Sequence, residues 1–256
     1  MHELSDRVPG QAVITKLLDV REQDAERSLL GRFFGANPLS ADSLPWYRGA
    51  LGEMAVGRLL AALGPEWTVL HAVPVGTGNS DIDHVLIGPA GVFTLNTKNH
   101  SDQPVWVAGR TLMVAGQRTR HIPNAAHEAA RAGKLLAAAS GVPVNPTGVV
   151  VVIAPRSLTI KKKPDGAKVL TDRQLLRWLR GLPPALPADQ VFRLVSAARA
   201  PRTWHRNPVP QGDPVELQHR FNSLRDVVER ARRRRLLWVL AAFVGFFTVT
   251  VGNVFL

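Results

Sequence analysis

Cysteine is absent from the 256-residue chain, which excludes a disulfide framework and any zinc site built on thiolates. A metal, if bound, must sit on oxygen or imidazole; a reducing compartment fits this composition without being required by it. Also missing is an apolar leader. Met1 to about Leu44 has no hydrophobic run followed by a small-residue cleavage site, so a secretory signal is not expected. Acidic residues are scarce, 20 against 32 Lys and Arg, for a formal net charge of +12. That balance favours polyanionic partners, nucleic acid or an anionic leaflet, and says nothing about fold. From Pro201 onward nine basic residues stand against four acidic ones, so much of the excess lies towards the C-terminal end. What the chain does have is 45% hydrophobic residues, enough for a core, and length for one substantial domain with appendages.

The chain is organised around the stretch from Asp81 to Lys98. Two apolar runs, Val85 to Ile87 and Val92 to Leu95, are separated by Gly88-Pro-Ala-Gly91, whose residues form turns rather than strands. This predicts a β-hairpin. Alternation along a strand puts Asp81 and Asp83 on one face of the first strand and Asn96 and Lys98 on one face of the second. Antiparallel pairing then brings carboxylate, amide oxygen and ammonium together at one edge of a buried sheet, where leaving them unpaired is costly. A hard cation and a phosphate would give them partners.

Upstream, Ser43 is a plausible cap for a helix in which Ala50, Leu51, Met54, Ala55, Leu59, Leu60 and Leu63 recur at helical spacing until Gly64-Pro65. Trp67 to Val75 reads as the first strand. His84 points away from Asp83 and reads as a hydrogen-bonded packing residue. Val105 to Val107 and Thr111 to Val114 suggest a second hairpin, continuing an antiparallel meander. Asn124 is expected to cap a helix to Ala139 with Ala125, Ala129, Ala132, Leu135 and Leu136 on its buried face. The face carrying His127, Glu128, Arg131 and Lys134 reads first as solvated, and second as one whose Arg131 and Lys134 meet substrate phosphates. Gly148 to Ile153 is an unbroken β-branched run, as in a strand covered on both faces. Lys161 to Lys163 reads as a basic loop, Val169-Leu170 as a short strand, and Arg173 to Leu179 and Ala188 to Ala198 as helices.

Asp83, then about a dozen residues, then a residue, a spacer and Lys98 is the spacing of PD-(D/E)xK nucleases. Gly49-Ala-Leu-Gly-Glu53, Asp81-Ile-Asp-His84, the Gly-Pro-Ala-Gly-Val-Phe turn and Thr97-Lys-Asn99 follow in order. Together these words resemble the nuclease-related domain, NERD, of that superfamily, over roughly Trp46 to Trp204. The resemblance implies an α/β (α+β) fold with a restriction-endonuclease-like core, a mixed central sheet flanked by helices. It implies Glu53, Asp83, Asn96 and Lys98 as catalytic residues, the first three binding Mg²⁺ or Mn²⁺, with Asp81 behind them. The family has Glu where this chain has Asn96. An amide oxygen is neutral, so metal is expected to bind more weakly here.

The chain is thus expected to divide into a variable arm over 1–45, a nuclease-like domain over 46–204, a linker and basic helix over 205–235, and a final apolar segment. Leu236 to Leu256 carries no charge and is long enough for a hydrocarbon core of about 30 Å. Trp238 and Phe255 flank it, and Arg230 and Arg232 to Arg235 precede it. These features predict a single-pass transmembrane helix in the cytoplasmic membrane with the catalytic domain facing the cytoplasm. The expected activity is that of a membrane-anchored, Mg-dependent phosphodiesterase acting on DNA or RNA. The competing expectation is a scaffold tethered to the membrane that binds nucleic acid or a partner and turns over slowly or not at all.

Overall fold

The computed structural model describes residues 4–24, 27–78, 80–206 and 212–252. In chain order these form a 3-10 turn at Leu4–Asp6, α1 (Gln11–Glu22), α2 (Leu29–Phe34), α3 (Ser43–Leu60), β1 (Thr68–Pro74), β2 (Asp81–Gly88) and β3 (Gly91–Asn99). There follow β4 (Pro104–Ala108), β5 (Thr111–Val114), β6 (Gln117–Thr119), α4 (His121–Ser140), β7 (Thr147–Ile153), β8 (Ser157–Lys162) and β9 (Lys168–Thr171). The last elements are α5 (Asp172–Arg180), α6 (Ala188–Arg199), α7 (Pro201–Trp204) and α8 (Pro214–Gly252). Two compact units result, one of Met1–Val13 with Arg48–Pro214, the other of Ile14–Tyr47 with Val215–Leu256. The stretch expected as an N-terminal arm contributes to both.

The first unit is built on a five-stranded sheet in the order β1-β2-β3-β7-β9. Its hairpin closes where the sequence predicts, with Gly88 opposite Gly91 and Ile87, Leu86, Val85 and His84 opposite Val92, Phe93, Thr94 and Leu95. Gly91 takes a φ of +125° that favours glycine. β7 runs parallel to β3 on one side and to β9 on the other, so the sheet is mixed, as expected. Period-two alternation sends Leu86, Phe93, Leu95, Val149 and Val151 to one face, against Val56 and Leu60 of α3 and Leu175 and Leu179 of α5. Val85, Ile87 and Val92 face the other way, against Ala132 and Leu136 of α4 and Leu194 and Ala198 of α6. Covered on both sides, β7 needs an apolar residue at every inner position, each contributing about 1.5–3 kcal/mol.

Beyond β3 the meander stops. β4, β5, β6 and β8 form a separate four-stranded sheet, order β6-β5-β4-β8, in which β8 pairs with β4 in parallel. Its inner residues Val105, Val107, Leu112 and Val114 pack with Val150 and Val152 and with Ile122 and Ala125 of α4. Lys161 and Lys162 therefore end a strand rather than form a loop, because β8 satisfies its main chain on the open edge of β4. α4 begins three residues ahead of the expected cap, so Asn124 lies within its first turn. Thr171 does cap α5, in a reciprocal capping box with Gln174.

The second unit corrects the transmembrane expectation. No helix among the described residues is long and apolar enough to cross a membrane. The charge-free part of α8 begins at Leu236. Its first turns are engaged elsewhere. The Trp238 indole donates to the Phe33 carbonyl at 3.1 Å, with both Phe33 and Phe34 rings 5.1 Å away. Arg234 donates to the Arg32 carbonyl at 3.1 Å. Asn253, Phe255 and Leu256, and most of the expected linker 206–212, lie outside the described residues.

Contact between α4 and β7 depends on Gly148, where a Cβ would lie 2.5 Å from the Ala125 carbonyl oxygen. Backbone cannot rotate away as a side chain can. Gly148→Ala should therefore lose about 1–3 kcal/mol in urea unfolding, a loss that an unchanged midpoint would contradict.

Candidate active site

The site lies where β2 and β3 part. Their ladder ends at His84 opposite Leu95, while β3 stays paired to β7 through Asn96, Thr97 and Lys98. The Thr97 N–H is taken by Asp83, whose Oδ2 accepts it at 2.5 Å. A side chain thus replaces the neighbouring strand. Asp81 and Asp83 share the face of Val85 and Ile87, and Asn96 and Lys98 that of Val92, so all four belong to the α4 side of the sheet.

Glu53 comes from α3 on the opposite side. Gly52 lets α3 lie against β3, since a Cβ there would be 3.3 Å from both Thr97 Cγ2 and Asn99 Cβ. The next residue, Glu53, is 4% exposed. Its carboxylate accepts a hydrogen bond from the Gly10 N–H and feels Asp83, Asp81 and Lys98. Arg7, which donates to the Ala72 carbonyl at 2.5 Å, lies near enough to Asp81 to favour its charge. The structure therefore brings Glu53, Asp83, Asn96 and Lys98 into one cluster with Asp81. His84 is fully buried, and its Nδ1 meets His71 Nδ1 at 2.8 Å, the packing role read from the sequence.

A sixth group joins from α4. The Asn96 amide, 7% exposed, donates through Nδ2 to both Glu128 oxygens, at 2.8 and 3.0 Å. Sequence reasoning put Glu128 on a solvated face. Its signal was its spacing, three residues after buried Ala125 and four before buried Ala132. At about 100° per residue this places it ~90° from the centre of the buried stripe, at its edge, with Lys134 on the far side at ~150°.

Burial raises every carboxyl here. Glu53 is pushed well up, first by desolvation and then by Asp83 and Asp81, against the pull of Lys98. Asp83 is raised by burial despite Lys98 and the Thr97 N–H. Asp81 is pushed up to about 7 by burial and Asp83, and Glu128 to about 7 by burial, opposed by the Asn96 bond. His121, stacked on His100 with their Nε2 atoms 3.1 Å apart, is lowered to about 4 by burial and by Lys98.

The donor set fits a hard cation. Glu53 Oε2, Asp81 Oδ2 and Asn96 Oδ1 are buried oxygens with no hydrogen-bond partner, beside carboxylates that repel one another. Among the described residues no three His, Asp or Glu side chains are grouped tightly enough to hold a metal by themselves. The carboxylates of Glu53 and Asp83 with the Asn96 amide oxygen would suit Mg²⁺, which keeps several waters and completes its shell with phosphate oxygens. Next to this cluster is a cleft of about 790 Å³ with Asp81 and Glu128 in its wall and Arg110, Arg120, His127 and Arg131 around it. Arg131 belongs to the cleft; Lys134 does not.

A mixed sheet flanked by helices, with buried carboxylates and a lysine gathered at the open end of its central hairpin, is consistent with a PD-(D/E)xK-like nuclease domain. Residues 48–154 match the model of the nuclease-related domain family, NERD, so this part of the chain carries that domain. A Bacillus anthracis protein described only as uncharacterized is 35% identical over 88 residues, covering 33% of this chain and 40% of that protein. The chain thus spans less than half the length of this curated relative. No solved structure matches.

Asp81 generates a pH prediction. With a pKa of about 7 in the fold against 3.8 ordinarily, its contribution is full below about 3.8 and is lost as pH rises through about 7. The buried histidines act in the opposite direction, so the comparison must be differential. In chelator, the unfolding temperature of Asp81→Asn minus that of the parent should become more positive between pH 4 and pH 7.5. A flat difference would mean that Asp81 is not held in its protonated form.

Proposed function

We propose that this protein is a metal-dependent nuclease that hydrolyses phosphodiester bonds in DNA or RNA. One observation carries the reading: buried oxygens of Glu53 and Asn96 have no partner, Glu53 feels the charges of Asp83 and Lys98, and Asp81 and Glu128 line a cleft rimmed by arginines. Glu53, Asp83 and Asn96 would hold Mg²⁺ or Mn²⁺. Bound there, the cation supplies neutralisation of the non-bridging phosphate oxygens and a water of lowered pKa. The chain's own groups do the rest. Lys98, half-buried among carboxylates, orients the attacking water and donates to a phosphate oxygen. Arg110, Arg120 and Arg131 hold the flanking phosphates, and each such contact releases counterions on binding. Asp83 keeps β2 and β3 apart by accepting from Thr97, so the scissile phosphate can approach Lys98 without displacing main-chain pairing. Water adds to phosphorus and gives up a proton to solvent, the P–O bond to the leaving group breaks, and the departing oxygen takes a proton from solvent.

The test is cleavage of DNA and RNA by the full chain with Mg²⁺ or Mn²⁺. Asp83→Asn and Lys98→Ala should each lower the rate by on the order of 100-fold or more while leaving binding in place. Binding without cleavage, unaffected by Lys98→Ala, would instead mark a nucleic-acid scaffold. Arg131→Ala should weaken binding on all sequences and reduce the logarithmic salt slope by about one; an unchanged slope would remove Arg131 from the phosphate path.

A further inference from the structure

We infer that Glu128 supplies, from α4, the negative charge that position 96 lacks, and that Asn96 and Glu128 form a single metal-site unit. The inference rests on reading the site as metal-dependent. An ionised carboxylate accepts hydrogen bonds and never donates them. Facing both oxygens of Glu128, the Asn96 amide must turn its nitrogen towards them, which turns Oδ1 the other way. That Oδ1 is buried and has no hydrogen-bond partner, while Glu128 itself feels the charges of Asp83 and Lys98. Glu128 thus does two things. It fixes the orientation of a neutral ligand oxygen, and when ionised it adds a formal charge within hydrogen-bonding distance of that ligand, so that the site then carries the charge of a carboxylate at position 96.

The bridge is reversible in the chemical sense. Exchanging the two side chains leaves one amide and one carboxylate in the same places, with the donor now on α4. Substituting position 96 alone does not: Asn96→Glu sets a second carboxylate against Glu128 at about 3 Å, where two like charges cannot both persist.

The test titrates Mn²⁺ alone into the full chain, without nucleic acid, followed by electron paramagnetic resonance of the free ion. Glu128→Gln should weaken binding by about 10-fold or more, the range for residues that orient a metal ligand. Asn96→Glu should bind no more tightly than the parent. The exchange variant, Asn96→Glu with Glu128→Gln, should recover affinity to within about 3-fold of the parent. A merely structural Glu128 would not be rescued by moving its charge to β3. The inference is overturned if Glu128→Gln binds like the parent, or if Asn96→Glu alone tightens binding and the exchange adds nothing. Asp83→Asn separates the two levels: if it too binds Mn²⁺ like the parent, the metal site itself is wrong, whereas its loss alongside an unaffected Glu128→Gln overturns the pairing alone. Should Glu128→Gln fail to fold, the exchange variant, which preserves the count of carboxylates, still decides.

Discussion

Four carboxyl groups and one lysine share a pocket of protein at the end of the central hairpin, and the surrounding structure is arranged to tolerate them. Desolvation is the largest influence on each of Glu53, Asp81, Asp83 and Glu128. A folded chain can hold such a cluster only with compensation built in. Here it comes from main-chain N–H groups of Gly10 and Thr97, from the Asn96 amide and from Lys98. The core on either side explains why the cluster does not simply relax outward. β3 is anchored to β7, and α3 and α4 are pressed onto opposite faces of the sheet by continuous apolar contacts. The apolar core thus holds the charges in a geometry that they would not adopt alone.

Much of this arrangement was legible because it is local. The turn Gly88-Pro-Ala-Gly91 fixes the hairpin, period two puts Asp81, Asp83, Asn96 and Lys98 on one side, and the Val run of β7 announces a strand covered on both faces. Helical spacing likewise gave α3. What escaped depends on residues far apart in the chain. Nothing near Val105 says that its strand will accept β8 in parallel, and nothing near Glu128 says that an amide on β3 will face it. The charge run at Lys161 looked like a loop because a strand edge leaves no mark on composition. The apolar end of the chain misled for a related reason. Length and lack of charge describe a segment, whereas the rings of Phe33 and Phe34 against Trp238 describe what the segment meets.

The electrostatic layout also separates two functions of positive charge. Lys98 sits inside the acidic cluster and lowers the proton affinity of Glu53, Asp83 and Glu128, while Arg110, Arg120 and Arg131 stand around the cleft. The formal excess of +12 gives the molecule long-range attraction for polyanions, but only these few groups have a defined relation to the buried oxygens. Lys134, one turn from Arg131, shows how sharply the helix divides them.

The Gly10 amide on Glu53 and Arg7 beside Asp81 have a counterpart in biosynthesis. The ribosome delivers Arg7 and Gly10 first, Glu53 and the hairpin next, and Glu128 only when α4 emerges. Hairpin closure is local and fast, but joining these distant pieces demands long loop closures that come late in folding. Until α4 has left the exit tunnel, the acidic centre lacks one of its members and one wall of its cleft.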